Sequence, residues 1–347
     1  MANIIVVGPA GNVGSELCKQ LAANGDRVIL GLSRRKVNYI ELGRPCTVEL
    51  EAVEAIETLS GRFGRYLKEA DVAMLAIPNG NKGLDELAYM RLFAEQGIPV
   101  VTCAKAAHAY QYPEVLKLGP IGNSACVGGG TDMLNALERR QLQNQNILLD
   151  AIVNGTTNNI WSDVQQGTSP IGAIGDAKAL GYAEPGSTDN VKIINGELDD
   201  VAMKASIIHN TTLSDGEHFI TPDHFKIDYF RDEEDIHRLS RRNARHRLVL
   251  TFAAVPDYDR EYEPRPEGIF GSLQASCGRW SISGRFYNVA AESHWFDWLR
   301  EVDGVKNGWR IYPRSKDGPY EMSGPGAGPE VTAAGMVRDR NRLRTKR

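Results

Sequence analysis

A continuous run of apolar residues at positions 4–7 opens the chain and predicts a strand that is buried on both faces. The glycine-rich turn GPAGNVG follows it, and then a helical pattern that Gly25 closes. Further apolar runs follow at residues 28–32, 72–77 and 100–102. Buried strands that alternate with helices are typical of a parallel sheet covered on both faces. The first part of the chain is therefore predicted to be an α/β domain with a Rossmann-type parallel sheet.

The pattern changes near residue 148, where LLDAIVNGTTNNIW predicts a strand, a turn and the start of a helix. Thr156 or Thr157 is the candidate cap of that helix. A polar helix is predicted at residues 232–245, and a last helix at 331–340, after the flexible segment GPGAG. Alternating runs predict strands of a second sheet at residues 247–255, 272–276, 280–283 and 309–312.

The composition narrows the class of protein. A chain of 347 residues with 42% hydrophobic and 24% charged residues is ordinary for a soluble globular protein of two domains. A net charge of -4 gives no reason to expect nucleic acid or an anionic membrane as a partner. Five scattered cysteines indicate reduced thiols, no apolar run reaches the ~20 residues of a membrane helix, and the N-terminus carries no targeting signal. These features predict a cytoplasmic protein.

The turn between the first strand and the first helix is a candidate phosphate-binding site. Small residues let the backbone approach a pyrophosphate, and a helix N-terminus presents N–H groups and the positive end of its dipole. The spacing is GxxGxxG rather than the usual GxGxxG, and a purely structural glycine turn is the alternative. The predicted cofactor contacts in this turn are Gly8, Ala10, Gly11, Asn12, Val13 and Gly14.

The residues after the second strand bear on the choice of dinucleotide. An NAD site usually has an aspartate or glutamate there for the ribose hydroxyls, whereas this chain has Ser33, Arg34 and Arg35. Guanidinium groups bind phosphate in a fork, so this turn favours the 2′-phosphate of NADP(H) over NAD(H). A solvated basic turn is the alternative.

The next two strands end at the carboxyl edge of the predicted sheet, where ligands of such folds bind. Ile77 and Pro78 follow one strand, and Thr102 ends the other, three residues before Lys105. A role for Lys105 beside the nicotinamide is favoured over that of a surface cation. Cys126 could serve as a nucleophile, but no partnering base is near it in the sequence, so a buried thiol is favoured.

Residues 181–204, GYAEPGSTDNVKIINGELDDVAMK, concentrate carboxylates around one candidate lysine. Asp200 and Lys204 are four residues apart, so on a helix both side chains lie on one face. Carboxylates beside a lysine suit a small zwitterion, because the acids hold an ammonium group while the amine moves a proton. The alternative is a solvated surface ion pair, which contributes only ~0.3–0.5 kcal/mol.

Several motifs of the chain occur together, and in the same order, in one enzyme family. They are GPAGNVGSEL, VVTCAKAA, ACVGGGT, VNGTTNNI, AKALGYAEP, DDVAMK and SGPGAGPEVTAAGMVRD. The chain resembles the homoserine dehydrogenases, of the short type without a C-terminal regulatory domain. The resemblance implies an NAD(P)-dependent enzyme that interconverts L-homoserine and L-aspartate 4-semialdehyde, and a homodimer.

The resemblance also implies how the chain divides. A dinucleotide-binding domain is expected at residues 1–135, and a second α/β (α+β) domain for substrate binding and dimerisation at 136–322. A C-terminal segment, 323–347, is expected to pack back on the first domain.

The resemblance further implies catalytic roles. Lys204 is expected to give a proton to the aldehyde oxygen, and Asp189 is expected to support Lys204. Lys105 is expected to lie between the substrate and the nicotinamide.

The implied binding residues form three groups. The ammonium group of the substrate is held by Glu184 and Asp200, while Gly181 and Thr156 complete the pocket. Gly328 touches the cofactor from the C-terminal segment. The backbone carbonyls of a structural monovalent cation site come from Val127, Gly129 and Thr131.

Departures from the family pattern keep two alternatives open. The usual asparagine, glutamate and proline of the family are Ala104, Ser124 and Asp132 here, five additional residues (VKIIN) lie between Asp189 and Asp200, and the segment IPNGNKGLDEL is unusual. One alternative is a related dehydrogenase for a different small hydroxy or oxo amino acid. The other is a catalytically silent NADP-binding sensor.

Overall fold

A computed structural model describes residues 1–33, 36–41, 44–49, 61–139, 146–182, 187–240, 245–254, 271–289, 294–313, 318–326 and 328–345. The chain divides into two units, one comprising Met1–Cys126 and Gly328–Arg347, the other Val127–Ala327. The divisions fall at 126/127 and 327/328, whereas the sequence predicts them at 135/136 and 322/323.

The first unit contains, among its described residues, a sheet in the order β4-β3-β2-β1-β5-β6-β7. Its strands are β1 (Asn3–Val7), β2 (Arg27–Leu32), β3 (Lys36–Glu41), β4 (Arg44–Glu49), β5 (Val72–Leu75), β6 (Val100–Thr102) and β7 (Ile121–Gly122). The pairs that run from β2 through β1, β5 and β6 to β7 are parallel. This arrangement confirms the predicted α/β fold with a Rossmann-type parallel sheet.

The sequence pattern does not predict β3 and β4, which continue the sheet in antiparallel pairing beyond β2. Ser33 and Lys36, which flank the end of β2 and the start of β3, exchange backbone hydrogen bonds of 2.8 and 3.4 Å. The chain therefore reverses as a hairpin at the point where a crossover helix would otherwise begin.

The parallel part of this sheet is buried on both faces. Ile5 and Val7 of β1 join one apolar cluster, and Ile4 and Val6 join another. Successive residues of a strand point to opposite faces, so the two clusters cover the two faces of the sheet. None of the four side chains is more than 2% exposed, which confirms the buried strand predicted at residues 4–7.

The helices with described bounds in the first unit include α1 (Asn12–Ala23), α2 (Gly64–Glu69), α3 (Leu84–Glu95), α4 (Ala106–Tyr110), α5 (Tyr112–Leu116) and the C-terminal helix (Pro329–Thr345). Leu17 of α1 and Met336 of the C-terminal helix share one apolar cluster. A buried ion pair between Asp26 and Arg340 adds to this packing. The C-terminal helix is therefore an integral part of the first unit.

The second unit is built, in its described part, on an antiparallel sheet in the order β14-β13-β8-β10-β12-β11-β9. The strands are β8 (Asn146–Ile152), β9 (Lys226–Asp228), β10 (His246–Ala254), β11 (Ser272–Cys277), β12 (Trp280–Asn288), β13 (Lys306–Pro313) and β14 (Tyr320–Pro325). The helices are α6 (Met133–Arg139), α7 (Gly155–Gln165), α8 (Pro170–Ala179), α9 (Asn190–Ile208) and α10 (Glu233–Arg238). This sheet confirms the predicted second α/β (α+β) fold.

Some predicted elements differ in length. The helix predicted at residues 232–245 is the short α10, which Asp232 caps by accepting a hydrogen bond from the backbone N–H of Asp235 at 2.9 Å. The strand predicted at 280–283 continues to Asn288, because β12 pairs with β10 along its whole length. Within the described ranges, no helix combines the length and the apolar character needed to cross a membrane.

Candidate active site

Lys204 and Asp200 form a largely buried ion pair on α9, with 2.6 Å between Nζ and Oδ2. Each side chain is 13% exposed. The Lys204 ammonium also donates a hydrogen bond of 2.7 Å to the carbonyl oxygen of Val153, just after β8. A solvated surface pair would keep both groups in water, so that alternative is wrong for these two residues.

Asn154 joins the end of β8 to α9. Its Nδ2 donates to Oδ2 of Asp200 at 2.9 Å and to Oε2 of Glu197 at 2.7 Å. Its Oδ1 accepts from the backbone N–H of Thr157 at 2.7 Å, which makes Asn154 the N-cap of α7. The prediction that Thr156 or Thr157 caps α7 is wrong, because both residues already lie within the helix. One planar amide thus fixes the start of α7 and two carboxylates of α9.

Glu197 belongs to this cluster, although the sequence pattern does not single it out. Its side chain is buried, with 5% exposure. Residues 197, 200 and 204 follow one another at spacings of three and four, which places them on one face of α9. The spacing E-x-x-D-x-x-x-K was therefore the available signal.

Asp189 lies at the other end of α9. Its Oδ1 accepts from the backbone N–H groups of Val191 at 2.9 Å and Lys192 at 3.2 Å, so it caps the helix. The ~1.5 Å rise per residue of a helix separates Asp189 from Lys204 by roughly 22 Å. The prediction that Asp189 supports Lys204 is therefore wrong, and Asp200 contacts the amine instead.

The remaining predicted substrate residues lie near the start of α7. Thr156 donates a hydrogen bond of 2.9 Å from Oγ1 to the carbonyl oxygen of Tyr182. The neighbouring Gly181 has a φ of +73°, the left-handed conformation that commonly ends a helix, here α8. Glu184 lies outside the described residues, so its role beside Asp200 stays a prediction.

The glycine-rich turn of the first unit requires two of its glycines for packing. A Cβ on Gly14 would come closer than 3.0 Å to the carbonyl oxygen of Gly8, and a Cβ on Gly8 would do the same with Ala76. Gly11 is the N-cap of α1, and no described side chain caps this helix. The N–H groups of the first turn therefore remain available to a phosphate. Exposed or partly exposed positions in this turn are Gly8, Ala10, Gly11, Asn12 and Val13.

Ser33 follows β2, and its backbone N–H donates a hydrogen bond of 2.8 Å to the carbonyl oxygen of Lys36. Arg34 and Arg35, which would contact a 2′-phosphate, lie outside the described residues, and their contact stays a prediction.

The predicted residues at the carboxyl edge of the first sheet are brought together. Ile77 and Pro78 follow β5, while Thr102 ends the neighbouring parallel strand β6. Asn79 Oδ1 accepts a hydrogen bond of 2.7 Å from the backbone N–H of Lys105 and ties the two segments to each other.

A buried carboxylate that the sequence pattern does not predict lies at this edge. Glu86 of α3 is 3% exposed and accepts hydrogen bonds of 2.8 Å from Oγ1 of Thr102 and from the backbone N–H of Ala107. Burial raises the pKa of Glu86 to about 7, while its hydrogen bonds and the charge of Lys105 act in the opposite direction.

Replacing Glu86 with glutamine is expected to stabilise the protein at pH 8 and to change its stability little at pH 5. The folded carboxyl group has a pKa of about 7 against an ordinary value of 4.5, so the folded state binds the proton more tightly than the unfolded state. Wild-type stability therefore falls as the pH rises from 4.5 to 7, by up to ~3 kcal/mol, and Glu86→Gln removes this dependence. Urea unfolding at both pH values measures the difference. If the free energy of unfolding fell by the same amount from pH 5 to pH 8 in the variant and in the wild type, Glu86 would not be the group that titrates.

The cysteine near this edge is a structural thiol. Cys126 is buried, its Sγ donates to the carbonyl oxygen of Ala104 at 3.2 Å, and burial raises the pKa of the thiol. A nucleophilic cysteine needs a lowered pKa, so the favoured interpretation as a buried thiol is confirmed. The neighbouring Ser124 donates two hydrogen bonds of 2.7 Å to Asp339 of the C-terminal helix, one from its backbone N–H and one from Oγ.

The candidate cation turn has an unusual backbone. Gly128, Gly129 and Asp132 have φ values of +79°, +52° and +54°. Thr131 donates two hydrogen bonds of 2.9 Å to the carbonyl oxygen of Gly128, one from N–H and one from Oγ1. The described residues contain no cluster of three His, Cys, Asp or Glu side chains for a metal ion. A cation held by the backbone of Val127, Gly129 and Thr131 stays a prediction.

Gly328 precedes the C-terminal helix and has a φ of +113°. Its carbonyl oxygen accepts hydrogen bonds from the backbone N–H of Thr332 at 3.2 Å and from Oγ1 at 3.0 Å. It therefore shapes the start of this helix, and its contact with a cofactor stays a prediction.

Comparison with known proteins places these features in one family. The family model described as homoserine dehydrogenase matches residues 133–340. The homoserine dehydrogenase of Pyrococcus horikoshii is 27% identical over 250 residues, which are 70% of this chain and 63% of that protein, so the match spans less than two thirds of this relative. The homoserine dehydrogenase of Sulfurisphaera tokodaii is 26% identical over 341 residues, 95% of this chain and 94% of that protein.

A solved structure shares the fold. It is a hyperthermophilic archaeal homoserine dehydrogenase in complex with NADPH, and it matches with a TM-score of 0.66 over 100% of this chain and 98% of that chain. The sequences are 21% identical, and at this distance the likeness shows the fold alone.

Proposed function

The chain belongs to the homoserine dehydrogenase family, and from this premise we propose that it interconverts L-homoserine and L-aspartate 4-semialdehyde by hydride transfer with NADP(H). The observation that carries the proposal is the buried cluster of Lys204, Asp200 and Asn154. A lysine held at 13% exposure by a carboxylate is poised for proton transfer rather than for solubility.

The proton-transfer role follows from the hydrogen bonds of Lys204. An ammonium group has three N–H donors. One meets Oδ2 of Asp200 and another meets the carbonyl oxygen of Val153, while no acceptor for the third is found among the described residues. The third N–H is therefore proposed to bind the oxygen of the substrate. Lys204 gives its proton to the aldehyde oxygen during reduction and takes the hydroxyl proton during oxidation.

The carboxylates of the cluster are proposed to orient the substrate. Asp200 and Glu184 would hold its ammonium group, and Thr156 and Gly181 would line the pocket near its carbon chain. Asn154 holds the Asp200 carboxylate in one orientation, because the amide of Asn154 is itself fixed at the start of α7. Polar groups that are already oriented in this way need no rearrangement during the reaction.

The glycine turn of the first unit fits the phosphates of a dinucleotide, since the uncapped first turn of α1 offers backbone N–H groups. Gly8 and Gly11 would contact the pyrophosphate, the buried Gly14 would let α1 pack against the turn, and Ser33 with Arg34 and Arg35 would favour NADP(H). An archaeal enzyme of this fold binds NADPH, and a relative from Pseudomonas canavaninivorans is NAD⁺-dependent, so the proposed preference depends on the basic residues after β2. When bound, the nicotinamide supplies or accepts the hydride.

Family membership motivates further parts of the proposal. Lys105 and Gly328 would contact the cofactor, and the chain would act as a homodimer. The backbone of Val127, Gly129 and Thr131 would hold a monovalent cation.

A second candidate substrate is another small hydroxy amino acid. Glu197 adds a buried carboxylate to the cluster, whereas Asp189 caps the far end of α9. A second carboxylate beside Asp200 would offer the ammonium group of such a substrate another acceptor.

One assay tests the proposal. Purified protein is given L-homoserine with NADP⁺ or with NAD⁺, and reduced cofactor is followed at 340 nm, with L-serine and 5-hydroxynorvaline as alternative substrates. Faster turnover of homoserine with NADP⁺ supports the proposal. Faster turnover of another hydroxy amino acid supports the second candidate. Binding of NADPH without any turnover would identify a silent sensor.

Asn154→Ala is expected to lower kcat/KM for homoserine by roughly 10- to 100-fold, because Asp200 loses the amide that orients it. It also removes a helix cap, which costs ~1 kcal/mol of stability. Ser169→Ala is the matched control, since Ser169 caps α8 through a 3.1 Å hydrogen bond from the backbone N–H of Gly172. Asn154→Ala also leaves two buried carboxylates without their donor, so it should lose more stability than the control, which should lose ~1 kcal/mol and keep full activity. Equal activity losses in both variants would show that Asn154 serves only as a cap.

A further inference from the structure

The segment between β5 and α3 has a strained backbone. Asn81, Lys82 and Gly83 have φ values of +45°, +45° and +80°. Left-handed conformations are unfavourable for residues with a side chain, so two in succession require support from their surroundings. A Cβ on Gly83 would come closer than 3.0 Å to the backbone of Ala106 and Ala107. This arrangement places the first turn of α3 directly against the start of α4.

Several hydrogen bonds join this segment to the turn that carries Lys105. Asn79 Oδ1 accepts from the backbone N–H of Lys105 at 2.7 Å. The carbonyl oxygen of Lys82 accepts from Nε2 of Gln111 at 3.1 Å. The backbone of residues 104–111 is therefore fastened at both of its ends.

Glu86 forms hydrogen bonds to the middle of the same turn. One carboxylate oxygen accepts from Thr102 Oγ1 and the other from the backbone N–H of Ala107, both at 2.8 Å. Thr102 Oγ1 in turn accepts from the backbone N–H of Ala104 at 3.0 Å. An ionised carboxyl group accepts more strongly than a protonated one, so these two hydrogen bonds favour the charged form of Glu86.

The charge of Glu86 also acts on its neighbours. Lys105 is the cation whose charge opposes the rise in the pKa of Glu86. Two thiols, Cys103 and Cys126, face the same carboxylate, and burial raises the pKa of both. Among Lys105, Cys103 and Cys126, a charged Glu86 therefore stabilises the charged form of Lys105.

We propose that Glu86 is a positioning residue for Lys105: it fixes the turn that presents the lysine and supplies the negative charge that stabilises the ammonium form. The relevance of this role to catalysis rests on the proposed function, in which Lys105 contacts the cofactor. The coupling between Glu86 and Lys105 is a property of the folded chain and is measured without substrate or cofactor.

Chemical modification tests the coupling. Wild type, Glu86→Gln and Glu86→Asp are treated with acetic anhydride at pH 8, and peptide mass spectrometry gives the acetylation rate of Lys105 relative to that of Lys204 in the same digest. Loss of the nearby negative charge favours the reactive neutral amine, so Glu86→Gln should raise the ratio roughly tenfold. Glu86→Asp keeps the charge and should give a smaller rise. Glu95→Gln is the matched control, because Glu95 is exposed at the far end of the same helix and should leave the ratio unchanged.

The outcomes separate this inference from the proposed function. A raised ratio with a 10- to 100-fold lower kcat/KM for homoserine supports both. A raised ratio in a protein that does not oxidise homoserine supports the coupling and refutes the proposed function. A ratio in Glu86→Gln equal to that of the wild type or of Glu95→Gln would overturn the inference, whatever the activity. Folding of each variant is verified by its melting curve.

Discussion

Lys204→Met is expected to lower kcat for homoserine oxidation by about 10²- to 10⁴-fold, which is the usual contribution of a positioned acid–base group. The lysine amine is the proposed proton carrier, and methionine keeps an unbranched side chain, one heavy atom shorter, without any N–H donor. The dissociation constant of NADPH should stay unchanged, because the nucleotide contacts are proposed to lie in the first unit. Single-turnover kinetics with NADP⁺ and fluorescence titration with NADPH measure the two quantities.

Lys192→Met is the matched control for this experiment. Lys192 lies on the same helix, its side chain is 77% exposed, and its amine is 4.0 Å from Asp189. The control should retain wild-type kcat. Lys204→Met also leaves the Asp200 carboxylate without its ammonium partner, so a lower melting temperature is expected for this variant alone. Near-normal turnover in Lys204→Met would remove Lys204 from the proposed mechanism.

Local spacing in the sequence predicts part of this site. Asp200 and Lys204 are one helical turn apart, and any helix over these residues brings them to one face. Glu197 shares that face, so the same periodicity could have identified it. Asn154 could not be found in this way, because its hydrogen bonds to Glu197 and Asp200 span 43 and 46 residues of the chain. Contacts of that range depend on how β8 and α9 pack, which no local pattern specifies.

The additional residues before Asp200 show a different limit of prediction from sequence motifs. A motif alignment places Asp189 near Lys204, because it counts positions along a loop. In the structure VKIIN forms the first turns of α9, so the additional residues lengthen a helix and carry Asp189 away from the amine. A residue transferred by motif therefore keeps its role only if the insertion leaves the helix boundary in place.

The same distinction between local and distant information applies to the first unit. Continuous apolar runs identify the strands of its parallel sheet, since burial on both faces leaves a strong signal. The hairpin of β3 and β4 leaves a weaker signal in the sequence, because its residues are a mixture of buried, partly exposed and exposed positions. Glu86 was missed because a glutamate in the first turn of a helix is ordinary for the helix dipole. Its burial depends on Gly83 and on the approach of α4, both of which are tertiary features.

Gly14→Ala is expected to destabilise the protein by ~3 kcal/mol, with a melting temperature lower by roughly 6–12 °C. Its methyl group would overlap the carbonyl oxygen of Gly8, so α1 would have to move away from the turn after β1. Gly11→Ala creates no such overlap, because φ is -74° and the nearest atom to the new Cβ is 3.7 Å away. Alanine is a poorer N-cap than glycine, so a loss of stability of ~1 kcal/mol or less is expected. The methyl group would instead lie at the proposed phosphate contact and weaken NADPH binding at least tenfold.

Gly196→Ala completes this comparison. Gly196 lies inside α9 with no atom within 4 Å of the added Cβ, so alanine should raise stability by ~0.5–1 kcal/mol. Thermal unfolding and NADPH titration measure the three variants. The proposed site predicts a marked loss of stability at residue 14, a loss of NADPH affinity at residue 11 and neither loss at residue 196. Full NADPH affinity in Gly11→Ala would mean that the N-terminus of α1 does not contact the pyrophosphate. The glycine turn would then have a structural role only, because its spacing would be required by the packing of β1 against α1 and by nothing else.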